Sequence, residues 1–187
     1  MTATFLTSQS GFITDPRRPH VILVGLPGAG KTSVGQAVAE HLGRTFLDFD
    51  AEIARRESMP ISQIFGEKGE PYFREMERTL TLELKELGGM VLSPGGGWVS
   101  DQAVVALLRP PARMIYLKAR PETALKRLGS ERMSRPLLTR PDPLREMKTL
   151  FDQRRKSYEG ADFVVDTELL NLEGVIRKVS ELATSVV

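Results

Sequence analysis

The segment from Gly25 to Thr32 constrains the fold of this chain most, because it satisfies the pattern Gly-x-x-x-x-Gly-Lys-Ser/Thr. A short apolar run, Val21-Ile22-Leu23-Val24, precedes it, and apolar residues recur at helical spacing after it. A strand that feeds such a loop and a helix that leaves it turn main-chain N–H groups inward, toward phosphate oxygens. The alternative is a glycine turn that contains Lys-Thr by chance, which average composition makes rare, on the order of one in a hundred. The pattern therefore predicts a triphosphate-binding site.

The motif assigns chemical roles to its residues. We expect Lys31 to reach the β- and γ-phosphates, and the Thr32 hydroxyl to bind Mg²⁺, which prefers oxygen ligands. The nucleotide-binding residues predicted in this loop are Gly28, Ala29, Gly30, Lys31, Thr32 and Ser33.

Composition indicates an ordinary globular protein. The chain has 187 residues, of which 41% are hydrophobic and 27% are charged, so we expect one domain with a sizeable core. It contains no cysteine, which excludes disulfides and thiolate metal sites. We find neither an apolar run as long as a membrane span nor a secretory signal, and we predict a cytoplasmic protein with no membrane partner.

Residues 1–19 differ from the rest of the chain. They are rich in Thr and Ser, and no acidic residue precedes Asp15. We interpret them as an N-terminal extension that forms a mobile arm. The domain is expected to span residues 20–187.

Positive charge is concentrated in one segment. Residues 109–158 contain 14 Lys and Arg against 5 Asp and Glu, although the whole chain has a net charge of only +2. A basic segment can indicate nucleic-acid binding, but these arginines lack interleaved aromatic residues. Anionic small molecules explain the segment better, so we expect no nucleic-acid partner.

Short β-like runs alternate with longer helical patterns, which favours a parallel sheet flanked by helices. The predicted strands cover residues 20–24, 45–49, 90–93, 112–117 and 162–166. The predicted helices begin near Lys31, Ala51, Glu70, Asp101, Pro121, Pro143 and Asn171. The last helix has an apolar face that we expect to pack against the core, formed by Leu172, Val175, Ile176, Val179, Leu182 and Ala183. We therefore predict the α/β fold class, as a P-loop NTPase fold with a central five-stranded parallel sheet. Residues 129–142 are too polar, basic and proline-marked for a core, and we interpret them as a lid.

Two carboxylates lie at the end of the second predicted strand. Alternation places Asp48 and Asp50 on one face at the carboxyl end of that strand, where the phosphate loop also lies. One of them would hold a magnesium-bound water, and the other an acceptor hydroxyl. The alternative is that Asp50 only caps the following helix.

Three consecutive glycines, Gly95, Gly96 and Gly97, follow the third predicted strand. Without Cβ atoms the backbone can approach a ligand closely, and its amides can bind a hydroxyl or a carboxylate. A flexible turn is the alternative. Trp98 either walls this crevice or fills core, and we favour core.

The order of these motifs resembles the shikimate kinase family. The resemblance extends from about His20 to Thr167 and is specific through the combination of its motifs rather than through any single one. It rests on the phosphate loop, Asp48 and Asp50, Gly69-Glu70 with Phe73-Arg74 and Glu77, the triple glycine, Arg135-Pro136-Leu137-Leu138, and Arg154 four residues before Tyr158.

The resemblance implies a nucleoside monophosphate kinase-like fold and two substrates, ATP with Mg²⁺ and shikimate. It implies that Arg74 and Arg154 bind the shikimate carboxylate, to which the planar guanidinium is suited. Asp50 would bind the hydroxyl that is phosphorylated. The substrate would also contact Gly95, Gly96 and Gly97, and Mg²⁺ would be bound by Thr32 and Asp48. Without the resemblance, Arg74 would be interpreted as a solvated helix charge paired with Glu70 and Glu77.

The resemblance also assigns arginines of the basic segment. Arg135 would contact the ATP phosphates when the lid closes, and Arg127 would stack on adenine. For each of these arginines, and for Arg132 and Arg140, the alternative is a solvated surface charge.

The implied activity is ATP-dependent phosphorylation of the shikimate 3-hydroxyl, in which Lys31, Asp50 and Arg135 act catalytically. The rival activity is another small-molecule kinase of this fold, acting on gluconate or a nucleoside monophosphate. A non-catalytic ligand-sensing domain is the rival of a different class. We expect a monomer.

Overall fold

Five parallel strands form one sheet in the computed structural model, which describes residues 14–134 and 136–185. The strand order is β2-β3-β1-β4-β5. The strands are β1 (Val21–Val24), β2 (Phe46–Asp48), β3 (Val91–Ser93), β4 (Arg113–Lys118) and β5 (Phe163–Asp166). This confirms the predicted five-stranded parallel sheet.

Helices flank the sheet. They are α1 (Lys31–Leu42), α2 (Phe49–Glu57), α3 (Ile61–Glu67), α4 (Gly69–Leu84), α5 (Gln102–Val105), α6 (Pro121–Leu128), α7 (Pro143–Glu159) and α8 (Leu172–Thr184). Short 3₁₀ helices cover Trp98–Ser100, Gly129–Ser134 and Pro136–Thr139. Within the described ranges, no helix is both long enough and apolar enough to span a bilayer.

The burial of the central strand explains why the strands could be predicted from the sequence. All four residues of β1 are buried, since the strand pairs with β3 on one side and β4 on the other. A strand covered on both faces forms a continuous apolar run rather than an alternating one. The predicted strands agree with the observed ones to within about two residues.

The predicted helix starts are also close to the observed ones, but α3 was not predicted. This helix has only seven residues, and it lies between Pro60 and Gly69. So short a segment carries too few turns for a clear helical period. It nevertheless contributes Ile64, which is fully buried.

The topology collects the functional loops at one edge of the sheet. After β3, on one side of β1, the chain crosses to β4 on the other side. Ligands of such sheets bind outside the carboxyl ends of the strands, at this kind of switch point. The phosphate loop follows β1, Asp48 ends β2, and the triple glycine follows β3.

The described part of the N-terminal extension contacts the domain. The Asp15 N–H donates to the Gly88 carbonyl, and the Gly89 N–H donates to the Arg18 carbonyl. Residues 1–13 lie outside the described residues, so the mobile arm remains a prediction.

His20 joins the start of β1 to two other segments. Its Nε2 lies 3.1 Å from the Leu84 carbonyl oxygen, and its Nδ1 accepts from the Met90 N–H at 3.3 Å. This pattern requires the neutral ring with the proton on Nε2. Burial lowers the pKa of His20, because the interior disfavours the charged ring.

We predict that His20 makes the fold sensitive to acid. Since its folded pKa lies below the unfolded value of about 6.5, the unfolded chain binds the proton more readily, and stability falls as pH drops below about 6.5. His20→Gln should remove this part of the pH dependence and cost about 1–3 kcal/mol at pH 7.5 through lost hydrogen bonds. Urea unfolding between pH 5 and 7.5 measures both effects. His41→Gln, at the exposed end of α1, is the control, and equal pH dependence in the two variants would contradict the prediction.

Candidate active site

Two neighbouring cavities open at the carboxyl edge of the sheet. The first, of about 390 Å³, is lined by the phosphate loop, and the second, of about 480 Å³, is lined by Arg74 and Arg154. Asp50, Gly95 and Gly96 line both cavities. The predicted nucleotide-binding and acceptor-binding residues therefore surround two spaces that share a wall.

The phosphate loop forms one side of the first cavity. Gly28 and Gly30 have positive φ angles of 81° and 94°, which residues with side chains rarely adopt. Gly30 is also the N-cap of α1, so the positive end of that helix points at the cavity. All the residues of this loop that are predicted to bind nucleotide line the cavity, namely Gly28, Ala29, Gly30, Lys31, Thr32 and Ser33.

Lys31 is held by the loop itself. Its ammonium donates to the carbonyl oxygens of Gly25 at 3.0 Å and Leu26 at 3.2 Å. These bonds keep the charge beside the loop amides. A phosphate oxygen entering the cavity would contact both the Lys31 ammonium group and the loop amides.

Thr32 and Asp48 lie side by side. The Thr32 hydroxyl donates to Asp48 Oδ2 at 2.9 Å, and Asp48 Oδ1 accepts from the Ala51 N–H at 3.2 Å. Asp48, and not Asp50, is thus the N-cap of α2, and the interpretation of Asp50 as a helix cap is wrong.

The pair fits Mg²⁺. Two oxygen groups stand together beside the loop, and Mg²⁺ prefers oxygen ligands while keeping several waters. The described residues contain no cluster of three or more His, Cys, Asp or Glu that could hold a metal. A cation here would depend on substrate phosphates and water for its remaining ligands.

The far end of the first cavity is apolar. Arg127 donates to the Thr167 hydroxyl at 2.7 Å and to the Thr167 carbonyl at 2.9 Å, which fixes its guanidinium at the cavity wall. Leu170 and Leu172 line the same region, and Leu172 is 58% exposed. Helical spacing alone predicted that Leu172 packs in the core with α8. That expectation is wrong, because the residue stands at the first turn, beside the cavity.

Asp50 lies in the first turn of α2 rather than on the strand. The strand ends at Asp48, so strand alternation is not what brings the two carboxylates together. The helix turns Asp50 toward the triple glycine, and its Oδ1 lies 2.9 Å from the position that a Cβ on Gly95 would take. Both carboxylates face the first cavity, as predicted, and Asp50 also faces the second.

The triple glycine makes room for side chains of the site. A Cβ on Gly96 would lie 2.9 Å from Arg154 Nη1, and one on Gly97 would overlap the Arg74 guanidinium. The absence of Cβ atoms therefore lets these two guanidinium groups approach the backbone closely. This loop does not form a loose turn. Trp98 is 2% exposed, which confirms the core interpretation.

Arg74 is both paired with carboxylates on its own helix and exposed to the second cavity. It donates to Glu70 at 2.7 Å and to Glu77 at 2.5 Å, as helix spacing predicted, yet it also lines the second cavity. Arg154 reaches the same cavity from α7. The structure therefore brings together the two arginines that the sequence placed 80 positions apart.

Glu77 was missed as a site residue. It is 2% exposed, and its Oε1 lies 2.7 Å from the position of a Cβ on Gly95, next to Asp50. Burial raises the pKa of Glu77 to about 7, Asp50 adds to the rise, and the Arg74 and Arg154 charges oppose it. Its spacing of three from Arg74 was the available signal, but that spacing also describes a surface pair.

An apolar wall completes the second cavity. Its members come from α2, α3, α4, α7 and the predicted lid, and they include Ala54, Ile61, Phe65, Phe73, Leu138 and Leu150. Leu138, from the segment predicted to form a lid, is 1% exposed and lines the acceptor side of the site. No single motif indicated this wall, because its residues are ordinary apolar residues until the fold brings them together.

The lid arginines are only partly described. Arg135 lies outside the described residues, so its predicted contact with ATP phosphates remains a prediction. Arg132 is exposed, and Arg140 donates to Glu146 at 3.1 Å. The surface-charge alternative therefore suits Arg132 and Arg140.

A family model described as shikimate kinase matches residues 27–184. The chain belongs to the shikimate kinase family. A shikimate kinase of Moorella thermoacetica is 38% identical over 162 residues, covering 87% of this chain and 92% of the relative. One from Thiobacillus denitrificans is 42% identical over 162 residues, covering 86% and 88%.

A solved structure of the same family agrees with the fold. Shikimate kinase from Acinetobacter baumannii, in complex with shikimate, has a TM-score of 0.83 at 34% identity, covering 89% of this chain and 93% of that chain. The resemblance inferred from the sequence is confirmed, as is the P-loop kinase fold.

We predict that Glu77 destabilises this shikimate kinase family member as pH rises above about 4.5, with the full effect reached above about pH 7. Its folded pKa of about 7 lies above the unfolded value, so the folded chain holds the proton more tightly. Stability is therefore lost as pH rises from about 4.5 to 7. As pH rises from 4.5 to 8, the free energy of unfolding of Glu77→Gln should increase relative to that of the parent by up to about 3 kcal/mol.

Denaturant unfolding at several pH values tests this prediction. Glu75→Gln, two positions away and exposed on the same helix, is the control and should follow the parent. A Glu77→Gln difference from the parent that does not change with pH would contradict the assignment.

Proposed function

We propose that the two cavities bind ATP and shikimate and that the chain transfers the γ-phosphoryl group to the shikimate 3-hydroxyl. The products are shikimate 3-phosphate and ADP, in a step of aromatic amino acid biosynthesis. One observation carries the proposal: Asp50 lies in the wall shared by a phosphate-loop cavity and a cavity with two arginines. A carboxylate at that position can bind a hydroxyl of one substrate within reach of the phosphate of the other.

The second cavity suits a small cyclic acid. Arg74 and Arg154 provide planar donors for a carboxylate, and the apolar wall can contact the carbon face of a ring. Glu70 and Glu77 hold the Arg74 guanidinium before the substrate arrives. The Arg74 side chain then loses less conformational freedom when the substrate binds, which favours affinity.

In the transfer, the 3-hydroxyl oxygen forms a bond to the γ-phosphorus while the bond from that phosphorus to the leaving oxygen of ADP breaks. Asp50 orients the hydroxyl and accepts its proton. Lys31 and the loop amides stabilise charge on the phosphoryl oxygens, and positioning supplies most of the acceleration. Thr32 directly, and Asp48 through water, would hold Mg²⁺, which when bound neutralises phosphate charge.

The lid would exclude water that competes with the hydroxyl for the phosphoryl group. Leu138 already contributes to the acceptor cavity. Arg135 in the same segment is assigned to the ATP phosphates. Arg127 is assigned to the adenine end of the nucleotide. The cytoplasmic location and the monomeric state remain predictions from the sequence.

A substrate panel tests the function directly. ADP release is measured with ATP, Mg²⁺ and either shikimate, gluconate or AMP. We expect release with shikimate alone among the three. Release with gluconate or AMP only would favour the rival kinases, and binding of shikimate without any release would favour a ligand-sensing domain.

Asp50→Asn is expected to lower kcat by about 10²- to 10⁴-fold, because the amide cannot accept the hydroxyl proton. ATP affinity and thermal stability should change little. Asp152→Asn, on the exposed side of α7, is the matched control. An active Asp50→Asn enzyme would refute the role of Asp50.

Arg154→Lys is expected to raise KM for shikimate by about 10- to 100-fold, since lysine cannot form the paired bonds to a carboxylate. Arg155→Lys is the adjacent control, because Arg155 is exposed and donates to Glu159. Steady-state kinetics at saturating ATP measures the difference. Equal KM values in the two variants would remove Arg154 from the acceptor site.

A further inference from the structure

A buried hydroxyl on α4 anchors one end of the triple-glycine loop. Trp98, which directly follows Gly97, donates from its indole Nε1 to the Thr81 hydroxyl at 2.9 Å. The same hydroxyl donates to the Glu77 carbonyl at 2.7 Å. Thr81 is completely buried. The loop is thereby tied to the helix that carries Arg74 and Glu77.

A second buried hydroxyl, on α7, anchors the middle of the loop. Tyr158 donates from its phenol to the Gly96 carbonyl at 3.3 Å, and the residue is completely buried. It lies one turn after Arg154, the other arginine of the acceptor cavity. Its ring stacks on Tyr116 of β4, with ring centroids 5.1 Å apart and an angle of 14° between the planes.

Two main-chain bonds also hold the loop, from the Trp98 N–H to the Gly95 carbonyl and from the Ser100 N–H to the Gly97 carbonyl, but the glycines themselves add little. Three glycines carry no side chains that could pack, and glycine loses more conformational freedom on ordering than other residues. The loop backbone nevertheless lies close to one guanidinium group, because Arg154 Nη1 is 2.9 Å from the position that a Cβ on Gly96 would take. A shift of the loop would change the space between the two guanidinium groups.

We propose that Thr81 and Tyr158 are positioning residues of the acceptor site, whose hydroxyls hold the triple-glycine loop at a fixed place between Arg74 and Arg154. The inference rests on the proposed function, since it concerns how that acceptor is bound. Neither residue touches the second cavity. Thr81 acts through Trp98. Tyr158 acts through Gly96 and also through Arg154, with which its hydroxyl forms a side-chain hydrogen bond.

Two nearly isosteric variants test the proposal. Thr81→Val and Tyr158→Phe each remove one hydroxyl and leave the packing volume almost unchanged. Each should raise KM for shikimate by about 3- to 10-fold, the effect of one neutral hydrogen bond, while KM for ATP changes less than about 2-fold. Thr81→Ser keeps the hydroxyl and should restore the KM of the parent.

Matched controls remove the same chemical groups elsewhere. Tyr116→Phe deletes the hydroxyl of the stacked partner ring, and Thr184→Val deletes a hydroxyl that makes the same bond to a carbonyl four residues earlier, at the end of α8. Both controls should keep the KM of the parent for shikimate.

Fluorescence provides a readout that does not depend on turnover. Trp98 is the only tryptophan of the chain, so its emission reports on the loop. Thr81→Val should shift the emission maximum, because the indole loses its hydrogen bond. Titration with shikimate should then give a Kd raised by the same factor as KM.

The outcomes separate this inference from the function. If the parent releases ADP with shikimate but both hydroxyl variants match their controls in KM and Kd, the positioning role is wrong and the function stands. A loss of thermal stability with unchanged KM would likewise reduce both residues to a structural role. If the parent neither binds nor phosphorylates shikimate, the proposed function itself fails.

Discussion

The site depends on main-chain amides at the end of β1, because a polyphosphate needs many donors within a few ångströms and side chains alone cannot supply them. Gly28 and Gly30 adopt positive φ angles that let the loop turn these amides inward. Such a loop must be held between rigid elements. The fully buried β1 and the helix α1 provide them, and the parallel order of the sheet brings the other functional loops to the same edge.

Charge balance governs the neighbouring acceptor cavity. Arg74 and Arg154 bring positive charge into a space with an apolar wall, and Glu77 and Asp50 bring negative charge beside it. Because Glu77 is buried, its carboxylate is costly unless the arginines compensate it, and this explains why its pKa stands near 7. The cavity is therefore organised around charges that hold one another in place, and a carboxylate substrate would join that set.

The triple glycine connects these two halves. Its backbone lies against Asp50, Glu77, Arg154 and Arg74 in turn, so it forms the common wall and sets the distance between them. A loop that carries no side chains must take its position from its neighbours. In this chain Trp98 and the hydroxyls of Thr81 and Tyr158 hold the loop in position. Residues outside the cavities therefore contribute to the geometry of the site.

Some features could be predicted and others could not, for physical reasons. The strands were readable because a parallel sheet buries both faces and leaves continuous apolar runs, whereas α3 is too short to show a period. Asp50 was correctly placed at the site, but by strand alternation, while the structure places it in the first turn of α2. Leu172 fitted the helical pattern of α8 and was assigned to the core, although it stands exposed beside the nucleotide cavity.

By itself the sequence determined the local chemistry of the phosphate loop, the carboxylate pair and the triple glycine, because each depends on residue types at short spacing. It indicated the arginines only through the order of motifs along the whole chain. The tertiary structure alone decided which of these groups meet. It brought Arg74 and Arg154 to one cavity, buried Glu77 beside Asp50, and assembled an apolar wall from five separate segments. Such contacts arise from packing between elements far apart in the chain, and local spacing carries no information about them.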